Sequence, residues 1–450
     1  RKNWIVRFAR IWRRWVMGSK WCIYRLGDIA EFSYGKMPKK EFVGTGDYVI
    51  FSGYKYTESY PEKNTSAGEL IVVARGVGGT GDVKITTRDC YLTNLSIKIN
   101  LDETKVRKEY FYYLFLQSNL RYLDSGSAQS QITINDLANV EISAPSLNVQ
   151  DLIVKSLKAF DDKITTLSSM NQTLEQMSQT LFKSWFVDFD PVIDNALDAG
   201  NPIPEALQTR AKLRQKVRNS ADFKPLPAEI RSLFPSEFEE TELGWVPKGW
   251  KEGTLPEIAF INSTSWTNKN QPDYINYVDL SNAKDGRIYS IEKLSFNDAP
   301  SRARRILKKD DLIFGLVRPA NRSFAYVHVD GLTGSTGFAV IRAQKTIYKN
   351  FIYYFVTYDK NIEELARIAD GGAYPAIKPD DICTLPLIIP SINIIEKFDE
   401  LTSNFREMMN NSLIQNEYLT NLRGTLLPKL ISGELSLEDL PDLTTDTEAA

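Results

Sequence analysis

The stretch Asn148–Phe186, NVQDLIVKSLKAFDDKITTLSSMNQTLEQMSQTLFKSWF, decides how the rest of the chain is organised. Its apolar residues recur on alternating steps of three and four, and neither Pro nor Gly interrupts it. This spacing is the heptad pattern of a coiled coil. The predicted seam comprises Leu157, Phe160, Ile164, Leu167, Asn171, Leu174 and Leu181. Because a lone amphipathic helix cannot bury its own stripe, the pattern predicts a partner helix.

The C-terminal part of the chain offers that partner. Asn171–Leu174 is echoed by Asn416–Leu419, and Phe160 is echoed by Phe405. A buried Asn lowers the stability of a coiled coil but fixes its register, so Asn at matching seam positions favours two helices that pair. The predicted seam of the second helix comprises Phe405, Asn416, Leu419 and Leu426. Two unrelated amphipathic helices are the alternative, since such stripes are common.

The segments that precede the two helices also resemble each other. Trp21–Ala30 is answered by Trp250–Ala259, and Glu109–Tyr113 by Asn350–Tyr354. This internal repeat predicts a duplicated module of strands and short helices, each copy followed by a long helix. The fold class is therefore α+β, with two mixed α/β modules, an antiparallel coiled coil and pseudo-two-fold symmetry. Thirty-nine helical residues would give a rod of roughly 58 Å.

The predicted boundaries follow from these patterns and from clusters of Pro. They are 1–17 for an upstream extension of the reading frame or a disordered segment, 18–145 for the first module, 146–187 for the central helix, 188–245 for a Pro-rich connector, 246–390 for the second module, 391–432 for the C-terminal helix and 433–450 for an acidic tail. The first sixteen residues contain six basic residues and no acidic residue. A basic helix at a membrane surface is the alternative for that segment.

Composition limits the classes of protein to which the chain can belong. Its 450 residues exceed what one hydrophobic core supports. Cys22, Cys90 and Cys383 lie far apart, which argues against a disulfide framework and a zinc site and favours the reducing cytoplasm. The sequence contains no run of about eighteen apolar residues, so it predicts no membrane span. The formal net charge is −2, so any binding of nucleic acid must depend on local basic surfaces.

Motifs for catalysis are weak or missing in the sequence. Gly76–Gly81 fits a dinucleotide fingerprint, but Asp82–Thr87 after it has the pattern of a strand, so we predict a hairpin turn. The sole histidine, His328, lies in an alternating segment without a nucleophile motif, which favours a structural role. No phosphate-binding loop of the ATPase type is present. The sequence predicts a non-catalytic chain with no metal site.

Basic and polar residues in turn-rich segments are the candidates for binding DNA, because Arg and Lys neutralise phosphates while Arg, Gln and Asn can contact base edges. The candidates are Lys36, Lys39, Lys40, Lys55, Arg75, Lys84, Arg88, Gln129 and Gln131 in the first module, and Trp266, Lys269, Arg302, Arg304, Arg305, Arg318, Arg322 and Tyr374 in the second. For each of them, ordinary charged surface is the alternative.

Four segments carry a resemblance to a known family. They are Leu181–Pro191 (LFKSWFVDFDP), Leu233–Glu240 (LFPSEFEE), Leu243–Trp250 (LGWVPKGW) and Gly424–Leu435 (GTLLPKLISGEL). With the repeat and the coil, they resemble the specificity subunit of type I restriction-modification systems, from Trp21 to Leu440.

The resemblance implies that each module is a target recognition domain for one half of a bipartite double-stranded DNA sequence, and that the coil sets the spacer between the halves. It also implies partners: two modification subunits, which bind S-adenosylmethionine and methylate adenine, and ATP-dependent restriction subunits that translocate and cleave DNA. This chain would then bind no cofactor itself, with S-adenosylmethionine, ATP and Mg²⁺ on the partner subunits, in the cytoplasm. The alternative is a two-lobed protein-protein scaffold without DNA binding.

Overall fold

A computed structural model describes residues 21–76, 79–124, 131–369 and 375–435. The chain divides into two compact units, and each is described by itself. The first unit takes Arg1–Leu167 and Gln415–Ala450, and the second takes Ser168–Ile414. None of the helices formed by the described residues is both long and apolar enough to cross a membrane.

The described residues of the first unit form nine strands and the helices around them. The strands are β1 (Cys22–Arg25), β2 (Ala30–Tyr34), β3 (Tyr48–Ser52), β4 (Lys55–Tyr60), β5 (Leu70–Val73), β6 (Val83–Ile85), β7 (Cys90–Leu92), β8 (Ser96–Leu101) and β9 (Glu141–Ala144). The helices are α1 (Lys108–Leu116), α2 (Ile134–Ala138) and the long α3 (Leu147–Phe182), of which the part up to Leu167 belongs to this unit.

The main sheet of the first unit has the strand order β2-β8-β5-β6, and every neighbouring pair in it is antiparallel. A smaller sheet has the order β4-β3-β7, and β1 pairs with β9. The turn predicted at Gly76–Gly81 joins β5 to β6, which are antiparallel neighbours. A dinucleotide site of the kind that the fingerprint suggests needs a helix at that place, and β6 occupies it.

The second unit contains the remaining elements. Its strands are β10 (Phe238–Thr241), β11 (Gly244–Pro247), β12 (Lys251–Gly253), β13 (Ala259–Ile261), β14 (Tyr274–Val278), β15 (Ala283–Lys284), β16 (Arg287–Ile288), β17 (Glu292–Ser295), β18 (Ala303–Leu307), β19 (Leu312–Gly315), β20 (Phe324–Tyr326), β21 (Leu332–Ser335), β22 (Phe338–Ala343) and β23 (Leu387–Ile389). Its helices are α4 (Asp190–Ala199), α5 (Gln208–Arg218), α6 (Ala228–Arg231), α7 (Lys349–Val356), α8 (Asp359–Ala369), α9 (Pro379–Cys383) and the part of α10 (Ile392–Ser432) up to Ile414.

The main sheet of the second unit has the order β13-β22-β19-β20, which repeats the order of the first unit strand for strand. A second sheet of order β17-β14-β21-β18 and the pair β12-β23 complete the likeness. The sheet β4-β3-β7 and the sheet β17-β14-β21-β18 each contain one parallel pair, β3 with β7 and β14 with β21. The predicted duplication of a mixed module followed by a long helix is therefore confirmed.

The two long helices pack against each other in both units. In the first unit Leu157 shares a core with Leu427 and Leu430, while Asp161, one turn later, forms an ion pair with Arg423. Since the position on α3 rises as that on α10 falls, the pair is antiparallel.

In the second unit Asn171 Nδ2 donates to the Met409 carbonyl at 3.2 Å, and the rings of Phe182 and Phe398 lie 6.1 Å apart. The order of these contacts is again antiparallel, as the sequence predicts. The amide of Asn171 thus bonds to the backbone of the facing helix rather than to a second Asn side chain.

The helix predicted for Asn148–Phe186 begins at Leu147 and ends at Phe182, where a single π turn, Lys183–Val187, follows. This turn buries Trp185 and Phe186 in an aromatic cluster with Phe398. The wider turn allows both large rings to face the same core, which a regular helix would not do for adjacent residues.

Candidate nucleic-acid interface

A tight hairpin gathers three of the predicted DNA-binding residues in the first unit. Ser52 pairs with Lys55, and Gly53 between them has a φ of 62°, a conformation that favours Gly at the first position of a two-residue loop. Lys84 Nζ donates to the Tyr54 carbonyl at 3.0 Å. The residues Tyr54, Lys55, Tyr56, Lys84 and Arg88 are called the hairpin surface below.

Aromatic rings support the cations of the hairpin surface. Lys55 Nζ lies 5.8 Å from the centroid of the Tyr54 ring, and the Arg88 guanidinium lies 5.0 Å from that of Tyr56. Neither Lys55 nor Arg88 forms an ion pair with a carboxylate of the described residues. Their charges are therefore available to an external anion such as a DNA phosphate.

Lys36, Lys39 and Lys40 are exposed beside the smaller sheet of the first unit. The Lys36 amide donates to the Leu92 carbonyl at 2.9 Å, and the Lys39 amide donates to the Tyr60 hydroxyl at 3.1 Å. The backbone of this segment is thereby fixed while its three lysine side chains remain exposed. This arrangement suits contacts with a phosphate backbone.

Arg75 and Gln131 lie together, because they form an isolated antiparallel bridge. The backbone N–H of Gln131 also donates to Asp124 Oδ1 at 2.9 Å. Arg75 Nε is buried without a hydrogen-bond partner among the described residues. Gln129, the other amide predicted here, lies outside the described residues.

Trp266 and two arginines, Arg304 and Arg305, come together at the second sheet of the second unit. The Trp266 amide donates to the Arg304 carbonyl at 2.8 Å, and its indole Nε1 donates to Thr333 Oγ1 at 2.9 Å. Arg305 Nη1 donates to Ser265 Oγ at 3.2 Å, and burial lowers the pKa of this arginine. Lys269 is exposed in the same loop as Trp266.

Two predicted arginines of the second unit already contact carboxylates of their own unit. Arg302 Nη2 is 2.8 Å from Asp279, and Arg322 contacts both Asp285 and Asp359 at 2.7 Å. These pairs weaken the case for Arg302 and Arg322 as phosphate ligands, since DNA would have to displace them.

Arg318 is exposed next to the short turn Pro319–Asn321, and its amide donates to the Pro375 carbonyl at 2.9 Å. Its neighbour in the prediction, Tyr374, lies outside the described residues. Arg318 thus keeps an exposed side chain on a fixed backbone. This combination suits a contact with a phosphate or a base.

Comparisons of this chain with known proteins show similarity to one family. Residues 18–176 match the family model for the type I restriction modification DNA specificity domain. The chain is 26% identical, over 93% of its length and 100% of the relative, to the type I restriction enzyme HindI specificity subunit of Haemophilus influenzae. It is 25% identical to the MjaIX specificity subunit of Methanocaldococcus jannaschii, over 93% of this chain and 94% of the relative. The chain is therefore similar to type I specificity subunits over most of its length.

A solved structure shows the same fold. The S subunit of a type I restriction-modification system from M. genitalium superposes with a TM-score of 0.56 at 18% identity, covering 93% of this chain and 97% of the other. The fold class that the sequence predicted is thereby confirmed.

The coiled-coil seam of this chain is polar in places. Among the predicted seam residues, Leu157, Leu167, Asn171 and Leu174 are buried, whereas Phe160, Ile164, Leu181, Phe405, Asn416, Leu419 and Leu426 are half-buried. The prediction for α10 did not include the buried residues Phe398, Thr402, Arg406, Met409 and Ser412. Apolar spacing alone could not identify Arg406, Thr402 or Ser412, because these side chains are polar.

His328 lies just beyond β20, two residues after Tyr326, and its ring centroid is 5.2 Å from that of Tyr326. Burial, with a smaller contribution from Arg406, lowers the pKa of His328 to about 4. The side chain is therefore neutral at pH 7. The described residues also contain no group of three or more His, Cys, Asp or Glu side chains placed to hold a metal ion.

Proposed function

We propose that this chain is the non-catalytic DNA-specificity subunit of a type I restriction-modification complex. Each module recognises one half of a bipartite target, and the paired helices set the length of the spacer. Similarity to type I specificity subunits and the repeated strand order support two equivalent recognition modules. The observation that carries the proposal is a cluster of basic and aromatic side chains on the smaller sheet of each module.

Within this proposal, the candidates divide by their surroundings. Lys36, Lys39, Lys40, Lys55 and Arg88 carry exposed charges that would hold phosphates and position the first module. The half-buried candidates are Arg75, Gln131, Arg304 and Arg305, and Ser265 accepts a hydrogen bond from the Arg305 guanidinium. Partial burial suits side chains that contact base edges with defined geometry. These assignments rest on chemistry and placement.

The partners complete the reaction in this proposal. Two modification subunits would bind S-adenosylmethionine and methylate adenine, and restriction subunits would use ATP and Mg²⁺ in the same cytoplasmic complex. This chain would determine which DNA sequence the complex recognises. The scaffold alternative has no observation of its own that favours it.

Salt dependence of DNA binding tests the proposal. The complex of this chain with its modification subunits should lose affinity for its target between 50 and 200 mM salt, because bound phosphates release counterions. Replacing Lys55 and Arg88 by Ala should weaken binding and reduce the slope of log affinity against log salt by about 0.9 for each phosphate contact removed.

Lys158→Ala is the matched control for this experiment, since Lys158 is exposed on α3 and already forms an ion pair with Asp162. This variant should keep the affinity and the slope of the wild type. A peptide scaffold would instead show no salt-dependent binding of DNA, and that result would reject the proposed function.

A further inference from the structure

A polar cavity of about 580 Å³ lies entirely within the second unit. The lining includes Asn171 and Gln172 on α3, Arg406 and Met409 on α10, Arg287 on β16 and His328. Its volume falls within the range of sites for small molecules, which is about 300–1,000 Å³. The proposed function assigns no role to it.

Arg406 is a buried cation in the wall of this cavity. Its residue is 7% exposed, and its guanidinium lies 3.9 Å from the ring centroid of Tyr326 and 4.3 Å from that of Tyr353. Arg406 Nε donates to Asn350 Oδ1 at 2.8 Å, but Nη2 has no hydrogen-bond partner among the described residues. A buried guanidinium with an unpartnered N–H group lowers the stability of the fold unless an anion compensates its charge.

The first unit shows how the chain balances a charge at the corresponding place. There Asp161 forms an ion pair with Arg423 and accepts a hydrogen bond from the Tyr113 hydroxyl at 2.7 Å. By the sequence repeat, Asp161 corresponds to Arg406 and Arg423 corresponds to Ser178. At the first of these places the second unit has the cation Arg406 instead of the anion Asp161. At the second place it has the neutral hydroxyl of Ser178 instead of the cation Arg423.

Two carboxylates, Glu175 and Asp285, also line the cavity, and each bonds to a group other than Arg406 or Arg287. Glu175 Oε2 accepts from the Tyr354 hydroxyl at 3.4 Å, and Asp285 pairs with Arg322 at 2.7 Å. Arg406 forms no ion pair with a carboxylate of the described residues, and neither does Arg287 in the same lining. Two guanidinium groups therefore face one cavity without a carboxylate bound to either.

The remaining lining indicates a polar occupant. The amides of Gln172, Gln176 and Gln179 lie on the α3 side of the cavity, and Asn171 Oδ1 is buried without a hydrogen-bond partner among the described residues. Amide groups can donate to and accept from a polar molecule. A second orphaned polar atom beside Arg406 Nη2 suggests that the cavity holds a group with both acceptors and donors.

We propose that this cavity binds a small molecule that carries an oxyanion, phosphate or carboxylate, held by Arg406 and Arg287. Guanidinium groups suit both anions, because their planar N–H groups match two oxygens at once. The amide side chains of α3 would hold the rest of the molecule. Since the cavity is lined by α3 and α10, its occupant would stabilise the packing of these helices within the second unit.

Thermal unfolding of the purified full chain tests this site without DNA, so its failure leaves the proposed function untouched. Inorganic phosphate and acetate are the probes, each compared with chloride at the same ionic strength. A bound oxyanion should raise the unfolding midpoint by about 2–4 °C. The larger shift of the two probes identifies the chemical class.

Arg406→Met should abolish this shift, and Arg287→Met should weaken the apparent affinity about tenfold. Arg367→Met is the matched control, because Arg367 is exposed on α8 of the same unit and pairs with Glu364. This control matters because phosphate also strengthens apolar burial in general. If Arg406→Met does not fold, Arg287→Met still decides the question from its half-buried position.

Two results would overturn the proposal. Equal shifts in the wild type, Arg287→Met and Arg367→Met would mean a general salt effect. No shift of the wild type with either anion would mean that the cavity holds only water.

Discussion

The role of a charged side chain in this chain depends on its ion-pair partner, which the sequence alone does not show. Arg342, for example, makes two hydrogen bonds of 2.7 Å to the fully buried Asp311. Arg342 was not among the predicted DNA-binding residues. Arg302 and Arg322 were predicted to face DNA, but they pair with carboxylates. The residue types in the loops were predictable, whereas their pairing depends on strands distant in sequence.

Asp311→Ala should lower the free energy of unfolding by about 3–5 kcal/mol, because it leaves the Arg342 guanidinium partly buried without its counter-charge. Chemical denaturation of the full chain measures the change. Glu400→Ala, which breaks the exposed pair with Lys397, should cost less than about 1 kcal/mol. An equal loss in both variants would contradict the argument.

His328 should make the stability of the second unit sensitive to acid. Its pKa is lowered to about 4 in the folded chain from an ordinary value of 6.5, so the unfolded chain binds a proton first as the pH falls. Stability should therefore be lost between pH 6.5 and about 4, by up to about 3 kcal/mol from this residue.

Because His328 is the sole histidine in the sequence, the imidazole signals of an untagged chain in proton NMR report its pKa directly. His328→Asn should remove this part of the pH dependence. A titration near pH 6.5 in the folded chain would show that the ring is not protected from water.

At the scale of elements, the long helices were predicted closely, whereas the Pro-rich composition of the connector did not predict α4. This helix begins at Asp190-Pro191, since Pro is well tolerated in the first turn of a helix. Asp190 and Asp194 then accept paired hydrogen bonds from Arg210 and Arg214 of α5. The four-residue spacing in both segments was a usable signal that the Pro-rich composition obscured.

The pairing of α3 with α10 in the first unit should depend on the contact between Asp161 and Arg423. A double-mutant cycle with Asp161→Ala and Arg423→Ala should give a coupling energy of about 1–2 kcal/mol, because both side chains are half-buried and Tyr113 also binds the carboxylate. Denaturation of the four proteins measures it. Additive losses would mean that the helices pair through apolar contacts alone.

At the scale of the whole molecule, the sequence repeat was sufficient to predict two copies of one module. The repeated strand order follows from that duplication, and the heptad spacing predicted which helices would pack together. Which side chains contact bases was not predictable. The residues predicted to contact DNA, such as Gln129 and Tyr374, follow no periodic pattern, and residue chemistry alone does not distinguish a base contact from ordinary charged surface.

The proposed link between helix length and DNA spacer makes the last prediction. Insertion of four helical residues after Leu167 and after Ile414 would lengthen both helices by about 6 Å, nearly two base pairs of DNA. Methylated sites mapped in a host should then keep both half-sites but show a spacer longer by about two base pairs. Two inserted residues would turn the apolar stripe by about 200° and should abolish methylation, because the seams would no longer face each other. Altered half-sites, or an unchanged spacer with intact methylation, would mean that the paired helices do not set the distance between the two recognised sequences.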